Sequence, residues 1–157
     1  MTQQALTDES YMRLALKEAE QAANGGEIPV GAVIVKDGSV IAAAHNLRET
    51  DADASAHAEL LCIREAGKRL GGWRLTGCTL YVTLEPCPMC AGAVINARLD
   101  RVVFGAYDHR AGSFGSLINL ASYPYNHRPD LTGGVLEEEA KALMVAFFKE
   151  KRWHGKA

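Results

Sequence analysis

Apolar residues near the start of the chain recur three or four positions apart, at Met12, Ala15, Leu16, Ala19 and Ala23. That period predicts a first helix, capped by Thr7 or Asp8 and ended by Asn24-Gly25-Gly26. The pattern then turns β-rich over residues 32–35 and 40–43, with Asp37-Gly38 between them as a tight-hairpin signal. His45-Asn46 follows just past the second strand. A second helix is predicted over 57–69, stopped by Gly71-Gly72. Residues 79–84 form a short β-branched and aromatic run, closed by Glu85-Pro86. Pro88 suits the first turn of a third helix, where a missing N–H costs nothing. That helix, 89–97, carries mostly small apolar residues and reads as buried all round. Another apolar strand covers 101–105, and a polar loop with Gly112 and Gly115 comes next. A short strand is expected near Leu131, then a last helix over 136–153 with Leu136, Ala140, Leu143 and Phe147 inward.

Alternation of this kind predicts a three-layer α/β/α fold around a central mixed five-stranded sheet. The hairpin makes one pair antiparallel, and strands joined through helices should run parallel. No repeat, low-complexity tract or linker divides the chain, so residues 1–157 are expected to form one domain.

Composition narrows the function classes. With 48% apolar and 23% charged residues, disorder and fibrous repeats are excluded. Seventeen Lys and Arg against nineteen Asp and Glu leave a net charge of −2, which is not that of a strongly basic nucleic-acid binder. Any RNA contact needs a local basic patch, and the end of the chain offers one: Lys149, Lys151, Arg152 and Lys156 against Glu150. No apolar run approaches the roughly 18 residues that span a bilayer. Residues 1–9 are polar and do not resemble a secretory signal, so a cytoplasmic location is expected. Four cysteines in such a chain do not make a disulfide framework.

Their spacing carries more. His57-Ala58-Glu59 and Pro86-Cys87-Pro88-Met89-Cys90 offer one imidazole and two thiolates, a set that fits zinc with a fourth, open position. His57 is expected to open the second helix, and Cys87 with Cys90 to start the third. The positive end of a helix favours the thiolate. Zinc lowers the pKa of a bound water from about 15.7 to about 7, roughly 12 kcal/mol of help in making a nucleophile at neutral pH. What remains is proton transfer. Glu59, in the first turn, sits where it can lie beside the metal without binding it, as a general acid and base.

His-x-Glu followed by Pro-Cys-x-x-Cys resembles the zinc nucleobase and nucleoside deaminases. Longer segments are similar to the bacterial tRNA adenosine deaminases: Gly26-Glu27-Ile28-Pro29-Val30-Gly31-Ala32-Val33, His45-Asn46-Leu47-Arg48, Thr83-Leu84-Glu85-Pro86-Cys87-Pro88-Met89-Cys90-Ala91-Gly92-Ala93 and Arg101-Val102-Val103-Phe104-Gly105-Ala106. Asn126-His127 and Phe147-Phe148-Lys149 also match. The resemblance implies a cytidine deaminase-like fold and hydrolytic conversion of adenosine to inosine at the first anticodon position of tRNA. It implies one zinc ion per subunit, no organic cofactor, no membrane, and a homodimer that holds the anticodon loop. By the same resemblance, His57, Cys87 and Cys90 bind zinc, Glu59 shuttles protons and Asn46 hydrogen-bonds the extruded base. Asp108, Arg110, Asn126, Phe148 and Arg152 lie near the RNA. Arg110 stands where lysine is expected, and the two cations differ in geometry.

Plainer readings stand beside these. A Cys-x-x-Cys with a distant histidine also makes a structural zinc clip, for which Cys62 or Cys78 would supply a fourth ligand, or a redox pair. Asn46 and Asp108 are ordinary turn residues, and no Gly-Lys-Ser/Thr makes Gly112 and Gly115 a phosphate loop. Phe148 lies about 100° round the helix from Phe147 and could stack on a base or pack at a dimer interface. A deaminase of a free base such as guanine or cytosine would use the same metal site, and a catalytically silent zinc protein would retain it.

Overall fold

The computed structural model describes residues 2–155, with side chains described for residues 2–152. Its elements are α1 (Gln3–Asn24), β1 (Gly31–Lys36), β2 (Ser39–His45), α2 (Ala58–Leu70), β3 (Cys78–Leu84) and α3 (Pro88–Ala97). They continue with β4 (Arg101–Ala106), a single 3-10 turn (Leu120–Ser122), β5 (Asp130–Thr132) and α4 (Glu137–Gly155). Lys156, part of the basic end expected from the sequence, lies outside the described residues.

The five strands lie in the order β2-β1-β3-β4-β5. β1 pairs antiparallel with both neighbours, whereas β3, β4 and β5 pair parallel. Strands linked through helices therefore run the same way, as expected, and β1 alone opposes them. The β1–β2 turn places Asp37 at φ 50° and Gly38 at φ 77°, the positive values that a two-residue hairpin matched to strand twist requires.

Period-two alternation sorts the strands between two layers. Ala32, Ile34, Leu80, Val82, Val102 and Phe104 pack with Ala58, Cys62 and Ala66 of α2 and Ala91, Val94 and Ala97 of α3. Val33, Val35, Tyr81 and Val103 face the other way, onto Met12, Ala15 and Leu16 of α1 and Ala140 of α4. With helices on both faces, β1 is buried at five of six positions, which is why it reads as a continuous apolar run.

Three local expectations are corrected. The first helix starts five residues before the expected cap, because Thr2 Oγ1 accepts the Ala5 N–H at 3.1 Å. Asp8, a cap candidate, is instead buried in mid-helix, where Arg101 grips it with two 2.8 Å bonds. α3 is not buried all round, since Met89 and Asn96 are exposed while Cys90, Ala91, Val94, Ile95 and Ala97 are buried. In α4 only Ala140 of the expected inner face is fully buried, and Leu136, Leu143 and Phe147 are half-buried.

Candidate active site

Two helix starts converge on one point. His57 is the N-cap of α2 and Cys87 that of α3, both with extended backbone, and neither side chain caps its own helix. Both turn to a shared centre instead. His57 Nδ1 lies 3.6 Å from Cys87 Sγ and 3.6 Å from Cys90 Sγ, and the three donor atoms all lie within 4.8 Å of one another. Zn–S bonds of about 2.3 Å and a Zn–N bond of about 2.0–2.1 Å at tetrahedral angles put N and S about 3.5–3.6 Å apart. The three donors thus fit a zinc ion in spacing as well as in chemistry. Among the described residues no other such group of three exists. Cys62 and Cys78 are buried in the core, where desolvation pushes both thiols up. Neither joins the cluster, which removes the closed four-ligand clip as a reading of these residues.

Protons in the cluster are shared unequally among its members. The Cys90 thiol and then the His57 imidazole, both bonded to Cys87, bring that thiol down to about 4 against the effect of burial. The same bond, with burial, pushes Cys90 up, and the Cys87 partner holds His57 above its ordinary value. Glu59, only 3% exposed, sits in the first turn of α2 beside this cluster. Burial pushes its carboxyl up to about 7, opposed by its own backbone N–H and the His57 imidazole.

The cluster opens into a cleft of about 810 Å³ at the C-terminal ends of β3 and β4. His57, Glu59 and Cys87 lie in its wall, and Cys90 is buried behind them. Asn46, Asp108, Arg110, Phe148 and Arg152 line the same cleft, although they come from three distant stretches of sequence. Asn126 does not line it and is exposed in the loop before β5. Asn46 is held flat against its loop, Nδ2 donating to the Ile28 carbonyl at 3.2 Å and Oδ1 accepting the Arg48 N–H at 3.1 Å. One amide hydrogen remains to face a ligand. Asp108 accepts the Arg110 and Ala111 N–H groups, so its turn role is real as well.

Sequence reasoning missed several lining residues. Ile28, Val30, Leu84 and Ala106 supply apolar wall, and Arg48 and Lys141 add cations to Arg110 and Arg152. Lys141, Met144, Val145, Phe148 and Arg152 recur at helical spacing, so one face of α4 forms a wall. Exposed Val145 and Phe148 on that face were the available signal, since a surface helix rarely leaves such residues bare without use.

The zinc-binding region of cytidine and deoxycytidylate deaminases matches residues 6–106. The tRNA-specific adenosine deaminase of Bacillus subtilis is 56% identical over 151 residues, covering 96% of this chain and 94% of its own. A solved structure from work on A-to-I editing by tRNA:A34 deaminases superposes with a TM-score of 0.83 at 44% identity, over 85% of this chain and 98% of that one. The guanine deaminase of Bacillus subtilis is more distant, with a TM-score of 0.61 and 33% identity over 80% of this chain and 88% of that one. A likeness of this depth runs through the strand ends and helix starts that assemble the metal cluster, and the chain belongs to the zinc-binding cytidine and deoxycytidylate deaminase family, among the tRNA-specific adenosine deaminases.

Proposed function

We propose that the protein hydrolyses adenosine to inosine at the first anticodon position of tRNA. The observation that carries this is the three-donor zinc cluster with Glu59 beside it, at the base of a cleft ringed by Arg48, Arg110, Lys141 and Arg152. Zinc held by His57, Cys87 and Cys90 supplies the Lewis acidity that makes water a nucleophile at neutral pH. Glu59, in the first turn of α2 beside the cluster, takes a proton from the attacking water and gives it to N1 of adenine. A further proton reaches the exocyclic nitrogen, which leaves as ammonia while the water oxygen becomes O6 of inosine. Asn46 orients the base with its remaining amide hydrogen. An anticodon loop already presents unstacked bases, so extruding one costs little.

Asp108, Arg110, Phe148 and Arg152 serve the RNA in this reading, and Asn126 reaches it from outside the cleft. The chain acts in the cytoplasm as one domain, in keeping with its sequence pattern, and as a homodimer, as the resemblance implies. Among the described residues, no helix is long and apolar enough to cross a membrane.

The test is incubation with an anticodon stem-loop RNA carrying adenosine at the first anticodon position, with free adenosine and guanine in parallel. Inosine in the digested RNA alone supports the proposal. Turnover of free guanine with untouched RNA favours the second reading, which rests on the likeness to guanine deaminase. Arg152→Ala should weaken RNA binding and lower the log–log salt slope by about 0.7, as loss of one phosphate contact to a single strand does.

A further inference from the structure

Glu85 is 1% exposed and follows the last residue of β3, two positions before Cys87. Nothing about zinc chemistry requires a carboxylate there. Its two oxygens nevertheless collect four donors from a single loop. Oε1 accepts the Asp108 N–H at 3.1 Å and the Ser116 hydroxyl, and Oε2 accepts the Phe114 N–H at 3.1 Å and the Ser116 N–H at 3.0 Å. The Ser113 N–H adds a 2.9 Å bond to the Pro86 carbonyl. Residues 108–116 are therefore tied to the strand end that leads into the metal-binding turn. The loop in turn presents Asp108, His109 and Arg110 to the cleft. Gly112 completes the fit, because a Cβ there would stand 2.4 Å from both the Glu85 carboxyl and the Asp108 carbonyl. With four donors on its two oxygens, the Glu85 carboxyl acts here as an acceptor only, the part an ionised carboxylate plays.

We propose that Glu85 is a positioning residue for substrate: its buried carboxylate locks the 108–116 loop so that Asp108, His109 and Arg110 form a ready-made wall for the RNA beside the metal. The inference rests on the RNA-editing reading above. A glutamine cannot replace the carboxylate, since its NH₂ would face two of the loop's donors and leave them unsatisfied. The unpinned loop must then be ordered by the substrate itself, a cost that appears in binding and not in the chemical step.

The experiment uses the full zinc-loaded chain and the stem-loop RNA. Glu85→Gln should raise KM about tenfold with kcat within about twofold of wild type, and with one zinc per chain by metal analysis. Limited trypsin digestion should cut after Arg110 several-fold faster in the variant, a readout independent of turnover. Ser116→Ala removes one donor, keeps the fold, and should move both readouts the same way by about threefold. Unchanged KM and unchanged cleavage in both variants overturn the proposal. So does a loss of zinc that accounts for the lost activity, which would make Glu85 a support of Cys87. If wild type makes no inosine in RNA, the editing reading falls. If wild type is active and Glu85→Gln is indistinguishable from it, only the role of Glu85 falls.

Discussion

Asp8 and Glu59 are both buried, on opposite faces of the same sheet, Glu59 the more deeply enclosed, and their proton affinities move in opposite directions. Asp8 lies on the α1 face. Burial raises it, but Arg101, Tyr81 and Gln4 all donate to it, and the net result is a carboxyl held below its ordinary value. Glu59 lies on the α2 face among two thiols and an imidazole, and burial pushes it up to about 7. Depth of burial and the donors around a carboxylate together decide whether it is a fixed charge that holds the fold or a carrier whose proton can move.

The largest effect should come from exchanging the proton carrier. Glu59→Gln should lower kcat by at least about a hundredfold, the usual contribution of a general acid and base, with zinc retained on metal analysis. Asp8→Asn should leave kcat per folded chain near wild type. Equal activity loss in both variants would break the contrast. Stability should show the reverse order. Asp8→Ala leaves the partly buried Arg101 without its partner and should cost about 3 kcal/mol, roughly a 10 °C drop in Tm by calorimetry. Glu59→Gln should not lower Tm.

The pH dependences have opposite signs. Asp8 has a depressed folded value, so its contribution is present above the unfolded value and lost as pH falls through the folded one. Glu59 has a raised value, so in zinc-stripped protein its cost begins as pH rises above the unfolded 4.5 and is complete above about 7. Chelator-treated Glu59→Gln should therefore be about 3 kcal/mol more stable than wild type above pH 7, and equal to it below pH 4 by denaturant titration. The smallest change sharpens the Asp8 side: Tyr81→Phe removes one of its donors and should cost about 1 kcal/mol.

The same two residues show what a single sequence carries. Glu59 was legible because its environment is local: His57 lies two positions away and the helix start positions both. β1, β3 and β4 were legible because they are buried on both faces, so their apolar runs are nearly unbroken. Asp8 was misread as a cap because a short polar side chain near a helix start looks alike in either role. Tyr81 and Arg101, which join Gln4 on its carboxylate, are 73 and 93 residues away, beyond the reach of any local pattern. Glu27 was missed for the same reason. It is buried and accepts from Glu49 and Thr50, and so pins the loop that bears Asn46. The inward face of α4 was overdrawn: Leu136, Leu143 and Phe147 are only half-buried, and the cleft is walled by their neighbours Lys141, Met144, Val145 and Phe148.

The match to the wider deaminase family ends at Ala106, the last residue of β4. Every donor to the metal lies before that point, whereas Tyr107–Ala111 and the whole lining face of α4 lie after it. The metal donors and Glu59 thus all precede the part of the chain that supplies Asp108, Arg110 and the α4 wall, while Asn46 and Arg48 line the cleft from within the matched part. Substitutions after Ala106 can therefore reshape one wall of the cleft while leaving every metal donor and Glu59 in place.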